Sequence, residues 1–415
     1  MSMLENYTPR WVEVDLDAIK HNLNQVRLLI GPKVKVMAVV KADAYGHGAV
    51  AVARLMQAEG VEWLAVTTLD EGIELRRRGI EIPILVFAPL LGNQAGLAVD
   101  YHLTPSLHSE EAAESISRAA RYRRQQAGVH LKIETGMGRT GLSPNEAAIL
   151  ALGIAQDPYI KLEGIYTHLA VAMSTARADQ RYTEGQYRKF VQVSDYLARR
   201  EVKIPLRHVC NSAATLAYPH MHLEMVRPGT LLYGQYPSPN PRLRLNLRDA
   251  WQLKARVLQV QEFPAGTSIG YGRTKVLRRR TRVAVLPVGY VDGFSLEPVP
   301  RPRGVVDLLR FLVKLLLAWL GLRHGEAVVE IEGRRVPVLG KVAMQFTMVD
   351  VTGIPQIKAG TVAVLSARRT TISRSLPKIY LQAGQPWLVV TPLGEESLFG
   401  RPAELASSSS TSEGS

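Results

Sequence analysis

Short apolar runs alternate with longer amphipathic stretches over the first 230 residues, and this alternation constrains the fold more than any other feature. A repeated order of short strand and helix is typical of a parallel sheet. Eight such units within roughly 200 residues favour a closed (β/α)8 barrel over an open sheet. No Gly-x-Gly-x-x-Gly follows the first run, which argues against a dinucleotide-binding sheet. The runs are residues 34–40, 63–66, 83–87, 102–104, 129–133, 162–167, 207–209 and 224–226.

The composition changes near residues 235–245, where Pro237, Pro239 and Pro241 stand close together and indicate a linker. Beyond it, short Val-rich segments separated by Gly or Pro predict a mainly β domain. We expect a barrel over residues 8–240, a β domain over 241–400 and a disordered Ser-rich tail over 401–415. The predicted β segments are residues 255–261, 282–286, 327–331, 335–339 and 361–365.

The bulk composition excludes several classes of protein. The chain has 415 residues, of which 46% are hydrophobic and 21% charged, so it is not disordered, collagen-like or disulfide-stapled. The single cysteine, Cys210, cannot form an intramolecular disulfide, which favours a reducing compartment. No basic, apolar and small-residue series opens the chain, so we expect no secretory signal and a cytoplasmic location.

The net charge of +14 is concentrated in the second half of the chain. Residues 1–240 contribute +2 and residues 241–415 contribute +12; within the latter, residues 241–282 and 301–323 contribute +9 and +4. Neither stretch contains a nucleic-acid-binding motif and aromatic residues are sparse in them, so we expect no nucleic-acid partner. A small anionic ligand would need only part of this charge.

Polar side chains follow five of the predicted barrel strands. Because barrel active sites lie at the carboxyl ends of the strands, we expect these side chains to converge on one pocket. A lysine in such a pocket can form a Schiff base with a carbonyl compound or with pyridoxal phosphate. The loops after strands seven and eight are where barrels often bind phosphate. The residues are Lys41 after the first strand, Lys132 and Arg139 after the fifth, His168 after the sixth, Asn211 and Ser212 after the seventh, and Arg227, Gly229 and Thr230 after the eighth.

Eight motifs occur in a fixed order within residues 8–380. They are Val-Lys-Ala-Asp-Ala-Tyr-Gly-His-Gly at 40–48, Thr-Gly-Met-Gly-Arg at 135–139, Gly-Ile-Tyr-Thr-His at 164–168, Asn-Ser-Ala-Ala-Thr at 211–215, Arg-Pro-Gly at 227–229, Gly-Tyr-Gly at 270–272, Val-Gly-Tyr-Val-Asp-Gly at 288–293 and Gly-Lys-Val-Ala-Met at 340–344. In these motifs the chain resembles the alanine racemases, a family of pyridoxal-phosphate enzymes. The resemblance implies a (β/α)8 barrel, a β domain, a homodimer with shared active sites, and no metal.

The resemblance implies two bases on opposite sides of the substrate. Lys41 would hold the cofactor and exchange a proton on one side, while Tyr271 from the β domain of a second subunit would do so on the other. Racemisation requires this pair, because one base removes the α-proton and the other returns it from behind. A tyrosine hydroxyl is a weak acid, so the resemblance gives His168 and Arg227 the role of assisting it by hydrogen bonding and positive charge.

The remaining roles also come from the resemblance. Arg227 would face the pyridine nitrogen, which stays unprotonated because a guanidinium does not give up its proton. The cofactor-binding set is Lys41, Tyr45, His168, Asn211, Ser212, Arg227, Gly229, Thr230 and Arg374. The substrate set is Arg139, Tyr290 and Met344, with Lys132, a position often carbamylated in the family, orienting Arg139.

Three positions depart from the family pattern. Gln345 follows Met344 where the family usually has aspartate, so a negative charge near the site is lost. Arg374 aligns with a position near the phosphate that is often tyrosine or leucine, where it would add a charge-assisted contact. Thr230 replaces an aliphatic residue with one whose hydroxyl can donate to the phosphate.

The largest departure is an insertion at residues 297–323 with an apolar core at 305–322. Asp307, Arg310 and Lys314 share one face of a predicted helix, and the remaining surface is apolar. Three interpretations remain open: an extra helix packed on the body or the dimer, an interfacial membrane helix that includes Trp319, or a membrane span. Because the surplus charge flanks this insertion, peripheral contact with an anionic membrane is our hypothesis for it.

The expected reaction is the interconversion of L- and D-alanine, which would supply D-alanine for peptidoglycan synthesis. A racemase of serine or another small amino acid is the nearest alternative. Decarboxylases of this fold lack the Gly-Tyr-Gly base and the arginine partner of the ring nitrogen. A non-catalytic vitamin-B6-binding protein would resemble the barrel alone, and the β domain with Tyr271 argues against it.

Overall fold

The computed structural model describes residues 8–237, 245–296, 302, 304–319, 328–392 and 394–397. The chain forms two compact units, one of Leu16–Ala250 and the other of Met1–Asp15 with Trp251–Ser415. Pro239, Pro241 and the predicted tail at 401–415 lie outside the described residues.

The boundary that we placed at residue 8 needs a correction. The first strand, β1 (Arg10–Asp15), belongs to the second unit rather than to the barrel. The cause is long-range pairing, since Val12 is opposite Leu253 in an antiparallel pair and opposite Lys378 in a parallel one. The barrel unit therefore begins at Leu16.

The barrel unit confirms the predicted (β/α)8 architecture. Its strands are β2 (Lys35–Val39), β3 (Trp63–Val66), β4 (Ile84–Val86), β5 (Thr104–Leu107), β6 (Ala127–Lys132), β7 (Ile160–Tyr166), β8 (Leu206–His208) and β9 (Met225–Val226). They form one parallel sheet in the order β8-β7-β6-β5-β4-β3-β2-β9. A parallel bridge between Asn211 and Arg227, just beyond β8 and β9, connects the two ends of this sheet.

Nine helices of the barrel unit are described. They are α1 (Leu16–Ile30), α2 (Lys41–Gly46), α3 (Ala49–Ala58), α4 (Leu69–Arg77), α5 (Gln94–Asp100), α6 (Glu110–Tyr122), α7 (Pro144–Ile154), α8 (Arg177–Ala198) and α9 (Ser212–Ala217). Capping boxes begin two of them, Thr68 with Glu71 at α4 and Ser143 with Glu146 at α7. In each box the side chain of the first residue accepts a hydrogen bond from the backbone N–H of the second, and the side chain of the second accepts one from the backbone N–H of the first. This pair of bonds fixes where the helix starts.

The strands fill the interior because successive side chains alternate between the two faces. The inward-facing cluster consists of Met37, Val39, Trp63, Ala65, Leu85, Tyr166, Leu206 and Met225. The apolar runs located most strands within two residues. The run at 102–104 is an exception, since β5 begins at Thr104 and ends at Leu107, three residues beyond the run. His102 has a φ of +48°, a left-handed conformation that a strand does not contain.

The second unit is mainly β. Besides β1, its described strands are β10 (Trp251–Arg256), β11 (Gln259–Phe263), β12 (Ser268–Ile269), β13 (Lys275–Val276), β14 (Thr281–Leu286), β15 (Val329–Ile331), β16 (Arg334–Val336), β17 (Thr347–Asp350), β18 (Val362–Leu365), β19 (Lys378–Gln382), β20 (Gln385–Thr391) and β21 (Gly394–Ser397). They form an eight-stranded sheet in the order β16-β15-β18-β10-β1-β19-β20-β21, a three-stranded sheet β11-β14-β17 and the hairpin β12-β13.

The predicted segment at 255–261 is two strands rather than one. The chain changes partners at this point, because Val257 N donates to Thr361 O and Leu258 N donates to Val285 O. β10 therefore lies in the large sheet and β11 in the small one.

The insertion contains a helix, α10 (Val305–Trp319). Residues 297–301, 303 and 320–327 lie outside the described part of the chain. Among the helices described, none combines the length and apolar character needed to cross a membrane.

Candidate active site

A cavity of about 470 Å³ lies at the carboxyl ends of the barrel strands. Four of its lining residues are cationic, and none of the described residues that line it is acidic. A cavity with this charge suits an anionic ligand. The structure brings together ten of the predicted site residues there: Lys41, Tyr45, Lys132, Arg139, His168, Asn211, Ser212, Arg227, Gly229 and Thr230.

Lys41 stands at the start of a strained turn. The four residues that follow it, Ala42 to Tyr45, have φ values of +51° to +57°, in the left-handed region. Such a run costs about 1–2 kcal/mol per residue and persists only where neighbouring groups fix it. Glu71 Oε1 accepts from Ala42 N at 2.6 Å, and Asp43 Oδ1 accepts from Ala49 N at 2.8 Å. The turn places both Lys41 and Tyr45 at the cavity.

Lys41 is well suited to proton exchange. Burial, and secondly the charge of Arg139, lower the pKa of its amine. Within the described part of the chain, its Nζ has no hydrogen bond or ion pair. A lysine with a lowered pKa and an uncommitted amine can act as a nucleophile and as a base.

Arg227 is fixed by four hydrogen bonds. Its Nη1 donates to His208 Nδ1 at 2.9 Å and to His208 O at 2.6 Å. Its Nη2 donates to Thr167 O at 2.7 Å and to Val209 O at 3.2 Å. Only its Nε lacks an acceptor among the described residues. Burial lowers the pKa of Arg227 to about 10, which leaves the group charged at neutral pH.

A pair of buried histidines extends the chain of hydrogen bonds that begins at Arg227. Because His208 Nδ1 accepts from Arg227, its proton is on Nε2, which donates to His130 Nδ1 at 2.8 Å. The proton of His130 is therefore on Nε2, which is buried without a partner in the described structure. Burial and the charge of Arg227 lower the pKa of His130 to about 3 and that of His208 well below its usual value. Both imidazoles are neutral, so the positive charge stays on Arg227.

At another part of the cavity, Gly229 lies against Tyr45. A Cβ at residue 229 would be 2.5 Å from Tyr45 Oη, so this close approach requires glycine. Ser212 Oγ accepts from Gly229 N at 2.8 Å, which leaves its own proton free to donate. Thr230 offers a backbone N–H and a hydroxyl, neither with a partner within the described residues. Asn211 Oδ1 caps α9 by accepting from Ala214 N at 3.0 Å, so only its NH₂ is left to donate.

Arg139 and Lys132 form a cationic wall of the cavity. Glu134 organises the loop that carries Arg139, since its Oε1 accepts from Gly136 N at 2.5 Å and its Oε2 from Arg139 N at 3.3 Å. Lys132 Nζ donates to Thr140 Oγ1 at 2.5 Å. Burial, followed by the charges of Arg139 and Arg227, lowers the pKa of Lys132 to about 8.

His168 is neutral in this site. Burial, followed by the charge of Arg227, lowers the pKa of His168 to about 3. It can therefore assist a neighbouring base by hydrogen bonding but not by positive charge.

The remaining predicted residues belong to the β unit. Tyr271 is 76% exposed, Met344 57% and Tyr290 43%. Their segments pack together: Tyr290 N donates to Ala343 O and Val291 N to Met344 O, both at 3.1 Å. A Cβ at Gly340 would lie 2.9 Å from Ile269 O, close to Tyr271 in the chain. We call the surface carrying Tyr271, Tyr290 and Met344 the tyrosine face.

Two further positions lie near the tyrosine face. Gln345 follows Met344 directly and is exposed. Arg374 is also exposed, next to Ser373, whose N–H donates to Asp292 O in the turn that contains Tyr290.

Comparison with known proteins identifies the family. The profile of the alanine racemase N-terminal domain matches residues 14–237, and that of the alanine racemase C-terminal domain matches residues 250–384. The chain belongs to the alanine racemase family. The resemblance seen in the sequence motifs is thereby confirmed.

Individual alanine racemases align with most of the chain. The enzyme of Halothermothrix orenii is 38% identical over 363 residues, which cover 88% of each protein. The enzyme of Desulforamulus reducens is 39% identical over 352 residues, covering 84% of this chain and 88% of its own.

Solved alanine racemases share the fold. The structure from Clostridium difficile 630 has a TM-score of 0.82 and 31% identity, covering 92% of this chain and 98% of that one. The Bacillus anthracis alanine racemase with bound L-Ala-P has a TM-score of 0.79 and 28% identity, with 93% and 98% covered.

Sequence reasoning did not single out Tyr166, although the racemase motif at 164–168 contains it. Tyr166 lines the cavity, stacks on His208 with ring centroids 5.0 Å apart, and lies under the Arg227 guanidinium. Its hydroxyl bonds with Ser106 Oγ at 2.8 Å. The sequence pattern could have indicated Tyr166, because residues two apart along a strand share one face and Tyr166 lies two residues before the predicted site residue His168.

Proposed function

We propose that this chain interconverts L- and D-alanine with pyridoxal phosphate held in the barrel cavity. The single observation that carries the proposal is the placement of Lys41, with its lowered pKa, in a cationic cavity of an alanine racemase barrel. The order of the motifs indicates the family, and the residues that line the cavity support the proposed reaction.

The residues present fit the cofactor. Arg227 has one uncommitted donor, Nε, at the cavity wall, and a pyridine nitrogen is a suitable acceptor. The hydroxyls of Tyr45, Ser212 and Thr230 and the Thr230 N–H are donors of the kind that bind phosphate oxygens. Burial raises the pKa of Tyr45 to about 12, so its hydroxyl keeps its proton and remains a donor.

When bound, pyridoxal phosphate withdraws electrons from the substrate and makes its α-proton acidic. Lys41 Nζ, which would hold the cofactor, takes or returns that proton on one side. Tyr271 Oη does so on the other, since a single base on one side returns the proton to where it came from. Arg227 is charged and lacks an easily lost proton, so it leaves the ring nitrogen unprotonated and limits competing transamination.

The cationic wall would bind the substrate carboxylate. Arg139 presents a guanidinium suited to a carboxylate. Burial, followed by the like charge of Arg139, lowers the pKa of Lys132 to about 8, which increases the fraction of neutral amine. Carbamylation of that amine would turn a repulsive neighbour into a negative partner for Arg139, and we propose this state for the active enzyme.

We infer that two copies of the chain share each site. The tyrosine face carries the second proposed base, yet Tyr271 is 76% exposed in the single chain. Tyr290 and the backbone of Met344 would complete the substrate site from the same face, and Arg374 would contact the phosphate. As an intracellular source of D-alanine, the enzyme would serve peptidoglycan synthesis in the cytoplasm.

A direct assay tests the proposed reaction. Purified protein is incubated with pyridoxal phosphate and L-alanine, and D-alanine is measured over time; L-serine is run in parallel. We expect D-alanine to accumulate until the two enantiomers are equal, with serine turned over more slowly. Retention of cofactor absorbance without any D-alanine would contradict racemisation, and a preference for serine would reassign the substrate.

A further inference from the structure

Helix α10 exposes apolar side chains around most of its circumference. Nine of them between residues 305 and 317 are each at least 39% exposed: Val305, Val306, Leu308, Leu309, Leu312, Val313, Leu315, Leu316 and Leu317. A contiguous apolar surface of this kind is rare on a monomeric protein and indicates a binding surface. No described residue of α10 lines the barrel cavity or belongs to the tyrosine face.

The polar groups of α10 form one narrow stripe. Asp307, Arg310 and Lys314 lie at i, i+3 and i+7, and Arg310 Nη1 is 3.6 Å from Asp307 Oδ1. Leu309, Leu312 and Leu316 lie on the opposite side of the helix, because each residue advances the helix by about 100°. The helix therefore has a wide apolar face and a narrow charged edge.

The charge around α10 is positive. Residues 301–323 contain five basic residues and one acidic residue, for a net charge of +4. Arg301 and Arg303 precede the helix in the chain and Arg323 follows it. A wide apolar face edged by basic residues is the pattern of helices that lie in the plane of a membrane interface.

We propose that α10 docks on the surface of an anionic lipid bilayer. Leu309, Leu312 and Leu316 enter the boundary between headgroups and acyl chains. Arg310 and Lys314 remain at the level of the headgroups, where a negative surface potential attracts them. The occupant is thus an anionic bilayer surface rather than a neutral one.

A second copy of the chain fits this surface less well. In a two-fold pair of α10 helices, the apolar patch of one copy meets the same patch of the other, which leaves the basic residues of both charged edges outside the contact without an anionic partner. Asp307 is the only acidic residue within 301–323 to compensate for five basic ones. A flat helix pair also covers only one side of a helix that is apolar around most of its circumference. Charge complementarity therefore favours the lipid surface.

The test is flotation of the purified full-length protein with vesicles. One set contains phosphatidylcholine with phosphatidylglycerol and the other contains phosphatidylcholine alone. We expect the protein to float with the anionic vesicles, to remain largely unbound with neutral ones, and to dissociate as salt is raised. A chain that does not float with anionic vesicles, or that floats equally with both, overturns the proposal.

Two variants of α10 locate the binding surface. Arg310→Gln with Lys314→Gln should weaken vesicle binding roughly 25- to 30-fold, at about fivefold per cation near the membrane. Leu309→Ser with Leu312→Ser and Leu316→Ser should abolish it. Unchanged thermal unfolding and alanine turnover identify these variants as folded.

Matched controls carry the same changes on the barrel unit. Lys33→Gln with Lys203→Gln removes two exposed cations, and Leu28→Ser with Leu91→Ser and Ile149→Ser removes three exposed apolar side chains. Both controls should bind vesicles like the unaltered protein. Equal loss in controls and α10 variants overturns the assignment to α10. The proposal is also overturned if an α10 variant has a lower oligomeric mass than the unaltered protein and the unaltered protein does not bind vesicles, because the helix is then a contact between copies.

Discussion

The barrel cavity and the tyrosine face are built in opposite ways. In the cavity, Arg227 is 3% exposed and donates four hydrogen bonds to fixed acceptors. On the tyrosine face, Tyr271 is 76% exposed and lies between Gly270 and Gly272, whose φ values are +74° and +71°. Hydrogen bonds within the chain fix the side chain of Arg227 in the cavity, whereas the tyrosine face exposes its side chains to solvent.

This difference separates cofactor binding from proton transfer, two functions that a single active site usually combines. Preorganised donors in a buried cavity can hold a cofactor without help from another subunit. An exposed tyrosine gains catalytic power only when a second surface brings a substrate to it and excludes water. Cofactor binding and proton transfer should therefore respond differently to mutation.

The largest expected effects come from the two proposed bases. Lys41→Ala and Tyr271→Phe should each slow racemisation on the order of 10²- to 10⁴-fold, the usual contribution of a positioned acid or base. Only Lys41→Ala should also remove the absorbance of covalently held cofactor. Absorbance spectra of both variants beside D-alanine formation make this comparison. Loss of the absorbance in Tyr271→Phe would show that the cavity is not self-sufficient.

Gly229→Ala should affect the cavity more moderately. The new Cβ would be 2.5 Å from Tyr45 Oη and must displace it. Overpacking of this kind costs about 1–3 kcal/mol, or roughly 5- to 150-fold in the dissociation constant of pyridoxal phosphate. Titration of the cofactor-free protein measures it.

Gly153→Ala on α7 is the matched control, since no atom beyond its chain neighbours and the backbone of its own helix lies within 4 Å of the new Cβ. It should leave cofactor affinity unchanged and slightly raise the melting temperature, because alanine favours a helix. Equal affinity losses in the two variants would exclude the contact with Tyr45 as the cause.

The smallest expected effect is a pH dependence of stability. The folded protein holds His130 neutral with a pKa of about 3, whereas an unfolded histidine protonates near pH 6.5. As pH falls from about 6.5 toward 3, the unfolded state binds a proton at His130 that the folded state does not bind, so this one residue lowers stability by on the order of 1 kcal/mol per pH unit. His168 and His208, whose pKa values are also lowered, add to the slope. Urea unfolding of the cofactor-free protein between pH 7 and pH 5 measures this slope.

His130→Asn should make that slope shallower, because the amide oxygen can accept from His208 without taking a proton. His220→Asn, at an exposed position of the same unit, should leave the slope unchanged. A slope that His130→Asn does not alter would mean that other groups govern the acid sensitivity.

The barrel was predictable because the pattern that indicates it lies within short stretches of the sequence. Apolar runs place seven of its strands within about two residues, and polar residues directly after them, such as Lys41 and His168, point to the cavity that the fold then forms. Barrel geometry connects strand ends to a common site, so sequence order was sufficient information.

Other features depend on contacts between distant residues. β1 belongs to the β unit because Val12 pairs with Lys378, more than 360 residues away, and no local pattern encodes such a choice. The hydrogen bonds of Arg227 with His208 depend on the spacing of β8 and β9 in the closed sheet. The left-handed turn after Lys41 is equally hidden, since Ala42 and Ala44 have no ordinary preference for it.

The central claim, that the cavity of one chain works with the tyrosine face of another, is tested most directly by mixing two inactive chains. Lys41→Ala and Tyr271→Phe chains are unfolded together, refolded, and assayed for racemisation of alanine, with subunit exchange verified by affinity tags. If the sites are shared, each mixed dimer contains one unaltered site and one doubly altered site, and about a quarter of full activity returns. If exchange is complete and no activity returns, both bases belong to one chain and the account of a shared site is wrong.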